Sequence, residues 1–542
     1  MYPKRTWQRG FALLLSILLL VTALGGCGRR GSQTDRPWRD TTQLSEKTTS
    51  RTTYEVFVGE FCDSDGDGAG DLAGVTSKLS YIQDLGCNEI WLMPIMPSQT
   101  YHKYDVMDYK AVDKSYGTME DLEELVRQAH KRGMKITLDF VMNHTAGAHP
   151  WFVQACQYLE SLEPGQEPDP AVCPYVSYYN FSREQNEKYG HRVGETEWFY
   201  EARFWEAMPD LNLNEPRVRN EISEIVDFWL GKGVDGFRLD AAKEYESGDH
   251  DENIRILSWF QDLVKEKDPD ATIVAEVWED APTIARYYSS GVDSFFNFPF
   301  ATQGGVIART LNGENGGARE YGEALVSTDQ EIRKYCTQYT DAPFYTNHDM
   351  DRSAEYYHGE DAKSLCKLAE AMNLLMSGNA YLYYGEELGM AGGGKDENRR
   401  LPMAWASSAE SHGMCRAPEG ADPVTHPYGS LEDQKNDSDS IYSFVKATIA
   451  LRNRFPALAN GTVSLEEGSD EGLCVLRKKY ETQEVLLLYN LSAISRTISS
   501  KDWEKADGRS WKVAGTLLAD GGKVSRNGDS LVLPARSVLV FQ

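Results

Sequence analysis

Short apolar runs alternate with longer amphipathic stretches from about residue 53 to about residue 390. The short runs are rich in β-branched and aromatic residues, which favours strands, and the longer stretches have the period of helices. The predicted strands are Tyr54–Val58, Glu89–Met93, Lys135–Val141, Val234–Leu239, Thr272–Val277, Val292–Phe298, Phe344–Asn347 and Ala380–Tyr384. Eight strands separated by helices indicate a parallel sheet, and eight such repeats favour a closed (β/α)8 TIM barrel over an open sheet.

Two parts of the chain break this alternation. Residues 145–214 are rich in Pro, Tyr, Glu and Asn and show little periodicity. Because this stretch is too long for an ordinary strand-to-helix loop, it predicts a lid or a small inserted domain after the third strand. Residues 456–542 alternate apolar runs with turn residues and contain no helical pattern, which predicts a C-terminal all-β sandwich domain. The barrel would then comprise residues 53–144 and 215–455.

The first 27 residues have the layout of an export signal. Three basic residues precede an apolar run, Phe11–Leu24, that is too short to span a membrane comfortably. The run ends in Leu24-Gly-Gly-Cys27, which resembles a bacterial lipoprotein box; a plain signal peptide with a chance Cys is the alternative. Residues 28–52 are polar and predict a flexible linker. We expect an extracellular, cell-surface lipoprotein that is anchored to the bacterial membrane through Cys27.

Charge and cysteine content restrict the partners. There are 56 basic and 83 acidic residues, a formal charge of −27, which argues against nucleic acid as a partner. Apart from a lipid anchor we expect no contact with the membrane, and we expect a monomer.

Eight cysteines remain besides Cys27, and most lie in apolar runs where a thiol behaves as a small buried hydrophobe. Pairing of Cys156 with Cys173 stays open.

Polar residues follow four of the predicted strands at the point where each strand ends. In a barrel such residues meet on the C-terminal face, where reactive groups gather. A surface ion pair could explain any one of them, but it does not explain four strands that end alike. The residues concerned are Asp139, Asn143 and His144 at the end of the third strand, Arg238, Asp240 and Lys243 at the end of the fourth, Glu276 at the end of the fifth, and Asn347, His348 and Asp349 at the end of the seventh.

The spacing within these segments suggests two carboxyl groups with different roles. Arg238 and Asp240 are two apart on a strand and therefore share a face. The guanidinium should lower the pKa of Asp240 and keep it ionised, as a nucleophile requires. Glu276 follows three apolar residues, so burial should raise its pKa, as a general acid requires. Two carboxyl groups whose pKa values are pushed apart are typical of glycosidic bond cleavage.

Five segments resemble, in order, the conserved regions of glycoside hydrolase family 13, the α-amylase family: Asp139–His144, Met208–Asn212, Gly236–Asp240, Ala275–Trp278 and Asn347–Asp349. The resemblance implies a retaining enzyme with Asp240 as nucleophile, Glu276 as acid/base and Asp349 as transition-state stabiliser. It further implies contacts to the sugar from Tyr104, His144, Arg238 and His348. Lys243 matches a residue that α-amylases use on the leaving-group side.

An acidic loop follows the first strand, in Asp63-Ser-Asp-Gly-Asp-Gly-Ala-Gly-Asp71. Alternate carboxylates in a glycine-rich loop can surround a hard cation with oxygen atoms. The pattern departs from an EF-hand because the twelfth position is Gly74, and it resembles instead the calcium loop of several α-amylase family members. The implied Ca²⁺ ligands are the side chains of Asp63, Asp65, Asp67 and Asp71 and the carbonyl of Ala69. An acidic turn that binds nothing specific, or a Mg²⁺ site, remains an alternative.

The branch of the family depends on finer features. Exo-acting members place an Asp three residues before the tyrosine that Tyr104 matches, and this Asp helps to close the pocket behind the first sugar. Here that position is Tyr101. The loss of the carboxylate leaves room for more glucose units, which favours internal cleavage. We therefore predict endo-acting hydrolysis of α-1,4-glucosidic bonds in starch, amylose and maltooligosaccharides, the activity of an α-amylase. Segments Met208–Asn212 and Asp396–Met403 resemble members intermediate between the oligo-1,6-glucosidase and neopullulanase groups. Neopullulanase or cyclomaltodextrinase activity, α-glucosidase activity, and a non-catalytic starch-binding surface lipoprotein are the alternatives.

Aromatic residues are frequent in the inserted segment. Their flat faces could stack on glucose rings, or they could fill the small core of that domain. They are Trp151, Phe152, Tyr175, Tyr178, Tyr179, Trp198, Phe199, Tyr200 and Trp205.

Overall fold

The computed structural model describes residues 50–314, 316–499 and 511–542. The predictions for the signal segment, for Cys27 and for residues 28–49 of the linker lie outside these residues. Within the described ranges no helix is long and apolar enough to cross a membrane. The eight cysteines of the described ranges are free thiols, so Cys156 and Cys173 are not paired.

The strands of the described residues are β1 Thr52–Val56, β2 Glu89–Leu92, β3 Lys135–Phe140, β4 Phe181–Ser182, β5 His191–Arg192, β6 Phe199–Tyr200, β7 Gly236–Leu239, β8 Thr272–Ala275, β9 Ser294–Phe295, β10 Ala380–Tyr383, β11 Thr462–Leu465, β12 Leu473–Tyr480, β13 Gln483–Asn490, β14 Arg496–Ser499, β15 Val513–Leu518, β16 Ser525–Asn527, β17 Ser530–Leu533 and β18 Ser537–Phe541. Seven of these strands form one parallel sheet in the order β10-β1-β2-β3-β7-β8-β9.

The seventh barrel position in chain order is an irregular segment rather than a strand. Residues 341–345 lie between β9 and β10: Asn297 N–H donates to the carbonyl of Ala342 at 3.1 Å, and Tyr381 N–H to that of Pro343 at 2.8 Å. The predicted strand Phe344–Asn347 is therefore wrong in type, although the chain does close the barrel there. Pro343 lacks an N–H, which prevents a regular ladder.

Helices separate the barrel strands. The helix Met119–Lys131 illustrates why they form where they do: Thr118 and Asp121 make a capping box, and the buried side chains recur at helical spacing. The α-helices are Val58–Phe61, Leu72–Ser77, Leu79–Leu85, Met119–Lys131, Pro150–Glu160, Pro216–Gly231, His250–Lys267, Ala281–Tyr287, Val306–Leu311, Ala318–Ile332, Ala362–Leu374, Asp396–Arg399, Leu431–Gln434, Ile441–Arg454 and Pro456–Asn460. The 3₁₀ turns are Pro174–Ser177, Tyr288–Ser290, Phe298–Phe300, Ser353–Glu355 and Glu386–Leu388.

The segment between β3 and β7 forms a small inserted domain. It contains the helix Pro150–Glu160 and an antiparallel sheet of order β4-β6-β5. Phe152 packs edge-on against Tyr179 and Tyr200, with ring centroids 5.0 and 4.9 Å apart. An isolated antiparallel bridge between His144 and Asp210 joins the beginning of this domain to its end. Several of its aromatic residues therefore fill its core, as one of the two interpretations of the sequence predicted.

The C-terminal part consists of two antiparallel sheets, of order β11-β12-β13-β18-β15 and β14-β17-β16. Their facing apolar side chains form one core, which includes Val475, Leu488, Leu533 and Leu539. The buried Nζ of Lys478 donates to the carbonyls of Leu375 and Leu458 and so joins this part to the barrel. These features confirm the predicted fold class: a TIM barrel with an inserted domain after the third strand and a C-terminal β sandwich.

Candidate active site

Two carboxyl groups stand side by side at the C-terminal ends of β7 and β8. Leu239 pairs with Ala275 in the parallel register, and the next residues are Asp240 and Glu276. The N–H of Glu276 donates to the carbonyl of Leu239 at 2.9 Å, which continues the ladder by one residue. The backbone therefore fixes the spacing of the two side chains, as the sequence predicted from the strand ends.

A single guanidinium connects these carboxylates. Arg238 is completely buried, and its Nη1 lies 2.8 Å from Asp240 Oδ1 and 2.9 Å from Asp139 Oδ1. Its Nη2 lies 2.5 Å from Glu276 Oε2. The guanidinium also lies over the ring of Trp91, 5.0 Å from its centroid. Arg238 is thus the central cation of a buried network of three carboxyl groups.

Burial dominates the protonation of the two facing carboxyls. It raises the pKa of Glu276 to about 7, against the opposing charge of Arg238, and the neighbouring Asp240 adds to the rise. Burial also raises the pKa of Asp240 to about 6, with Arg238 again opposing. The expectation for Glu276 is confirmed in direction. Arg238 lowers the pKa of Asp240, as predicted, but the loss of hydration outweighs this effect, so the predicted net lowering of the pKa is wrong.

A third carboxylate, Asp349, lies between two cations. Its Oδ1 accepts from Arg400 Nη2 at 2.9 Å, and its Oδ2 lies 3.1 Å from His348 Nε2. Although burial opposes the effect, the charges of His348 and Arg400 hold the pKa of Asp349 well below its usual range. His348 Nδ1 lies 2.6 Å from Glu55 Oε1. Although burial lowers it, Asp349 and Glu55 together raise the pKa of His348 to about 10, so this imidazole is positively charged at neutral pH.

The three carboxyl groups face one cleft of about 590 Å³. Three further residues predicted for the site, Tyr104, His144 and Lys243, also line it. Arg238 and His348 do not: both are completely buried and bond to the carboxylates. Their charge acts on the cleft through Asp240, Glu276 and Asp349, and the expected contact of these two cations with the sugar stays a prediction.

The remaining predicted side chains are held rigidly. The hydroxyl of Tyr104 donates to Asp139 Oδ2 at 2.9 Å, and its ring stacks on His348 with centroids 5.3 Å apart. His144 Nε2 donates to the carbonyl of Tyr104 at 3.1 Å. Burial lowers the pKa of His144 to about 4, so it is neutral. Lys243 Nζ donates to the carbonyl of Trp278 at 3.1 Å and to Glu279 Oε1 at 2.8 Å.

Several residues of the site were not predicted. Glu55, on β1, reads as part of an ordinary strand, and only the fold brings it to His348. Ala241 has a left-handed backbone, with φ of 47°, and its N–H donates to Glu276 Oε2 at 3.2 Å. Nothing in the sequence indicates this strained conformation. Arg400 lies in the segment Asp396–Met403, which was recognised as a motif but not assigned to the site.

A further carboxylate enters the cleft where none was predicted. Tyr101 stands at the position of the Asp in exo-acting members, and its hydroxyl donates to Asp396 Oδ2 at 2.5 Å. Arg400 Nη1 also donates to Asp396 Oδ2, at 2.6 Å. Asp396 and Arg400 both line the cleft. The loss of an acidic residue at position 101 is therefore accompanied by a carboxylate from a distant part of the chain.

The acidic loop after β1 brings only part of its predicted ligands together. Oxygen atoms of Asp63, Asp65 and Asp71 lie within 4.8 Å of one another. Asp67 is not in this group: its Oδ1 accepts from the N–H of Ala69 at 2.8 Å, and its carbonyl accepts from Arg416. The structure thus forms an acidic cluster of three carboxylates, and the side chain of Asp67 is not part of it.

Comparison with known proteins gives a consistent picture. The family described as "Alpha amylase, catalytic domain" matches residues 55–461. Alpha-amylase 3 of Dictyoglomus thermophilum is 37% identical over 451 residues, covering 82% of this chain and 85% of that protein. The structure of Eubacterium rectale Amy13B is 47% identical with a TM-score of 0.89, covering 91% of this chain and 95% of the other. A glucan 1,6-alpha-glucosidase of Streptococcus pneumoniae is 28% identical over 506 residues, covering 81% and 90%.

Proposed function

The chain belongs to the α-amylase family of glycoside hydrolases, and we propose that it hydrolyses internal α-1,4-glucosidic bonds of starch, amylose and maltooligosaccharides with retention of configuration. One observation carries the mechanism. Asp240 and Glu276 extend from paired neighbouring strands into one cleft and share the guanidinium of Arg238. Retaining enzymes use two neighbouring carboxyl groups, one ionised and one protonated.

The two carboxyls divide the chemistry. Between pH 6 and 7, Asp240 is mostly ionised and Glu276 mostly protonated, given pKa values of about 6 and about 7. Glu276 donates its proton to the leaving glycosidic oxygen while an Asp240 oxygen attacks the anomeric carbon, forming a glycosyl ester. Glu276, now a carboxylate, takes a proton from water. The oxygen of that water bonds to the anomeric carbon, and the ester bond to Asp240 breaks.

The surrounding residues stabilise the charge that develops on the sugar. Asp349 is kept ionised by its cations, so its negative charge favours the positively charged, distorted ring of the transition state. The ring of Tyr104 lines the cleft and packs against that sugar. Arg238 and His348 hold the carboxylates in place from behind. His144 and Lys243 line the cleft and are available for hydroxyl groups.

A second candidate, α-glucosidase activity from the chain end, is favoured by one observation. Asp396 places a carboxylate in the cleft next to Tyr101, where exo-acting relatives carry theirs. A time course of products from amylose, pullulan and maltotriose separates the two activities. Medium-sized oligosaccharides released early from amylose support internal cleavage, whereas glucose alone from every substrate supports the second candidate.

The catalytic assignment is tested with Asp240→Asn. This change removes the attacking charge but keeps the shape, so we expect kcat on amylose to fall by about 10³-fold or more. Circular dichroism should show an unchanged fold. Asp227→Asn, on an exposed side chain that pairs with Lys267, is the matched control and should keep full activity. Near-wild-type turnover by Asp240→Asn would rule the assignment out.

We further propose that Ca²⁺ binds the acidic cluster. Three carboxylates within 4.8 Å form a suitable donor set for a hard cation. A bound Ca²⁺ would neutralise their repulsion and fix the loop after β1, which is a structural contribution rather than a catalytic one. The sequence of residues 1–49 alone supports export and a lipid anchor on Cys27.

A further inference from the structure

A buried carboxyl group on the first barrel strand takes no part in the two displacement steps. Glu55 lies on β1, opposite Trp91 of β2 and Tyr383 of β10, and only 1% of it is exposed. The interior of a TIM barrel is filled mainly by branched apolar side chains. Because a buried carboxylate costs free energy unless a cation or hydrogen-bond donors compensate, Glu55 needs a partner inside the barrel.

That partner is the imidazole of His348, whose Nδ1 lies 2.6 Å from Glu55 Oε1. The second ring nitrogen, Nε2, lies 3.1 Å from Asp349 Oδ2 and 2.7 Å from the hydroxyl oxygen of Tyr104. The Tyr104 hydroxyl donates its proton to Asp139 Oδ2, so its oxygen accepts from Nε2–H. His348 therefore connects Glu55, which does not line the cleft, to two groups that do.

The protonation of His348 decides what it can offer to Asp349. A neutral imidazole has one N–H, and its other nitrogen is an acceptor. With a proton on Nδ1 alone, Nε2 would present a lone pair to the carboxylate of Asp349, and only the doubly protonated ring donates to both carboxylates at once. Although burial lowers it, Asp349 and Glu55 raise the pKa of His348 to about 10, in agreement with this geometry. Burial raises the pKa of Glu55, and the charges of His348 and Arg238 oppose that rise.

The other charged groups near the imidazole are engaged elsewhere. Asp139 and Asp240 are bonded to Arg238 Nη1, at 2.9 and 2.8 Å. Arg400 Nε donates to the backbone carbonyl of His348 at 3.1 Å and adds positive rather than negative charge. The negative charge at Nδ1 therefore comes from β1. The titratable and charged groups around the ring are Glu55, Tyr104, Asp139, Arg238, Asp240, Asp349 and Arg400.

We propose that Glu55 is a positioning residue: its carboxylate keeps both ring nitrogens of His348 protonated, so that His348 holds Asp349 ionised and oriented toward the sugar. Glu55 acts on the sugar only through this relay. Charge that is fixed in advance in a water-excluded site stabilises a transition state without rearrangement. The inference rests on the proposed function, since it uses Asp349 as the stabiliser of the transition state.

The test is the pH dependence of Glu55→Gln, which keeps an oxygen that accepts from Nδ1–H but removes the charge. The pKa of His348 should then fall from about 10 toward its ordinary value of about 6.5. The assay is kcat/KM on α-maltosyl fluoride from about pH 5 to about pH 10. Fluoride leaves without a proton from a general acid, so the ionisation of Glu276 adds no basic limb on this substrate.

The wild type and the variant should differ only on the basic side. For the wild type, kcat/KM should be level from about pH 7 to about pH 9. For Glu55→Gln it should fall about tenfold per pH unit above the lowered pKa of His348, while at about pH 6 it stays within about threefold of the wild type. Glu55→Asp retains the charge and should keep a level profile. A merely structural role would lower kcat/KM by the same factor at every pH.

A second buried carboxyl group supplies the matched control. Glu89 on β2 is 4% exposed and accepts from the hydroxyls of Thr53 and Thr137, at 3.1 and 2.6 Å, instead of from an imidazole. Glu89→Gln should therefore keep the wild-type pH profile. A level profile for Glu55→Gln, or equal fractional losses at about pH 6 and about pH 9, would overturn the role of Glu55.

Nuclear magnetic resonance of ¹⁵N-labelled histidine checks the protonation directly. The His348 signal, assigned by its absence in His348→Gln, should have the shifts of an imidazolium at about pH 8 in the wild type and of a neutral ring in Glu55→Gln. A neutral His348 in the wild type overturns the inference even if Glu55→Gln does not fold. If the wild type releases no fluoride from α-maltosyl fluoride, the proposed function fails instead, and these spectra alone decide whether Glu55 keeps His348 protonated.

Discussion

Replacing Arg238 by Gln should destabilise the barrel and shift the pH dependence of catalysis. Arg238 is fully buried against Asp139, Asp240 and Glu276, and the change leaves these carboxyl groups without their cation. Breaking a buried charged network by removing one partner costs about 3–5 kcal/mol. An unfolding entropy of roughly 2.1 cal/mol/K per residue, over the roughly 400 residues of segment 55–461, gives about 0.8 kcal/mol/K. The Tm should therefore fall by about 4–6 °C.

Two assays check this prediction. Calorimetry measures the Tm, and the kcat/KM on maltopentaose as a function of pH reports the ionisation of Asp240. Since the guanidinium lowers the pKa of Asp240, its removal should move the acidic limb to higher pH. Arg238→Lys retains the charge and should lose less stability. Arg255→Gln, on an exposed helical pair, should leave the Tm unchanged. The reasoning is refuted if Arg238→Gln melts and titrates like the wild type.

Two further predictions concern pH and metal. On maltopentaose, kcat/KM should rise through about pH 6 as Asp240 loses its proton, and it should fall through about pH 7 as Glu276 loses its proton. In α-maltosyl fluoride the leaving group is fluoride, which departs without a proton from a general acid. On this substrate the fall of kcat/KM above about pH 7 should disappear. A basic limb that persists with the fluoride would contradict the role of Glu276. Removing Ca²⁺ with a chelator should lower the Tm. If free Ca²⁺ was at 1,000 times its Kd, the free energy of unfolding should fall by about 4 kcal/mol. Asp63→Asn should abolish this effect and Asp67→Asn should retain most of it, so equal responses would contradict the three-carboxylate cluster.

The site residues that the sequence predicted without the family resemblance are those that lie at the end of a predicted strand. Asp240 and Glu276 come immediately after apolar runs, so strand prediction and barrel geometry together place them on one face. Tyr104 was identified by resemblance alone. His144 lies at a strand end, but its role as a sugar contact came from the resemblance. The fold class was predicted from the alternation of strand-like and helical stretches. The C-terminal sheets were predicted from apolar runs that alternate with turn residues and have no helical pattern between them.

What could not be predicted depends on contacts between distant residues. Glu55 and His348 are 293 positions apart, and Tyr101 and Asp396 are 295 apart; only the closed barrel brings each pair together. The pKa of Asp240 was misjudged because the sequence reveals its cation but not the depth of its burial. The irregular seventh barrel position could have been suspected from Pro343, which a regular central strand would exclude.

The irregular closure of the barrel has a consequence for how the three carboxylates respond to change. Asp240 and Glu276 are set by a ladder between β7 and β8, so they shift only as a pair. Asp349 follows the segment 341–345, which lacks such a ladder, and is fixed by side chains from Arg400 and His348. Adaptation to a differently linked sugar can thus proceed by altering the loop that carries Arg400. Asp240 and Glu276 would keep their positions while the carboxylate of Asp349 changes its orientation.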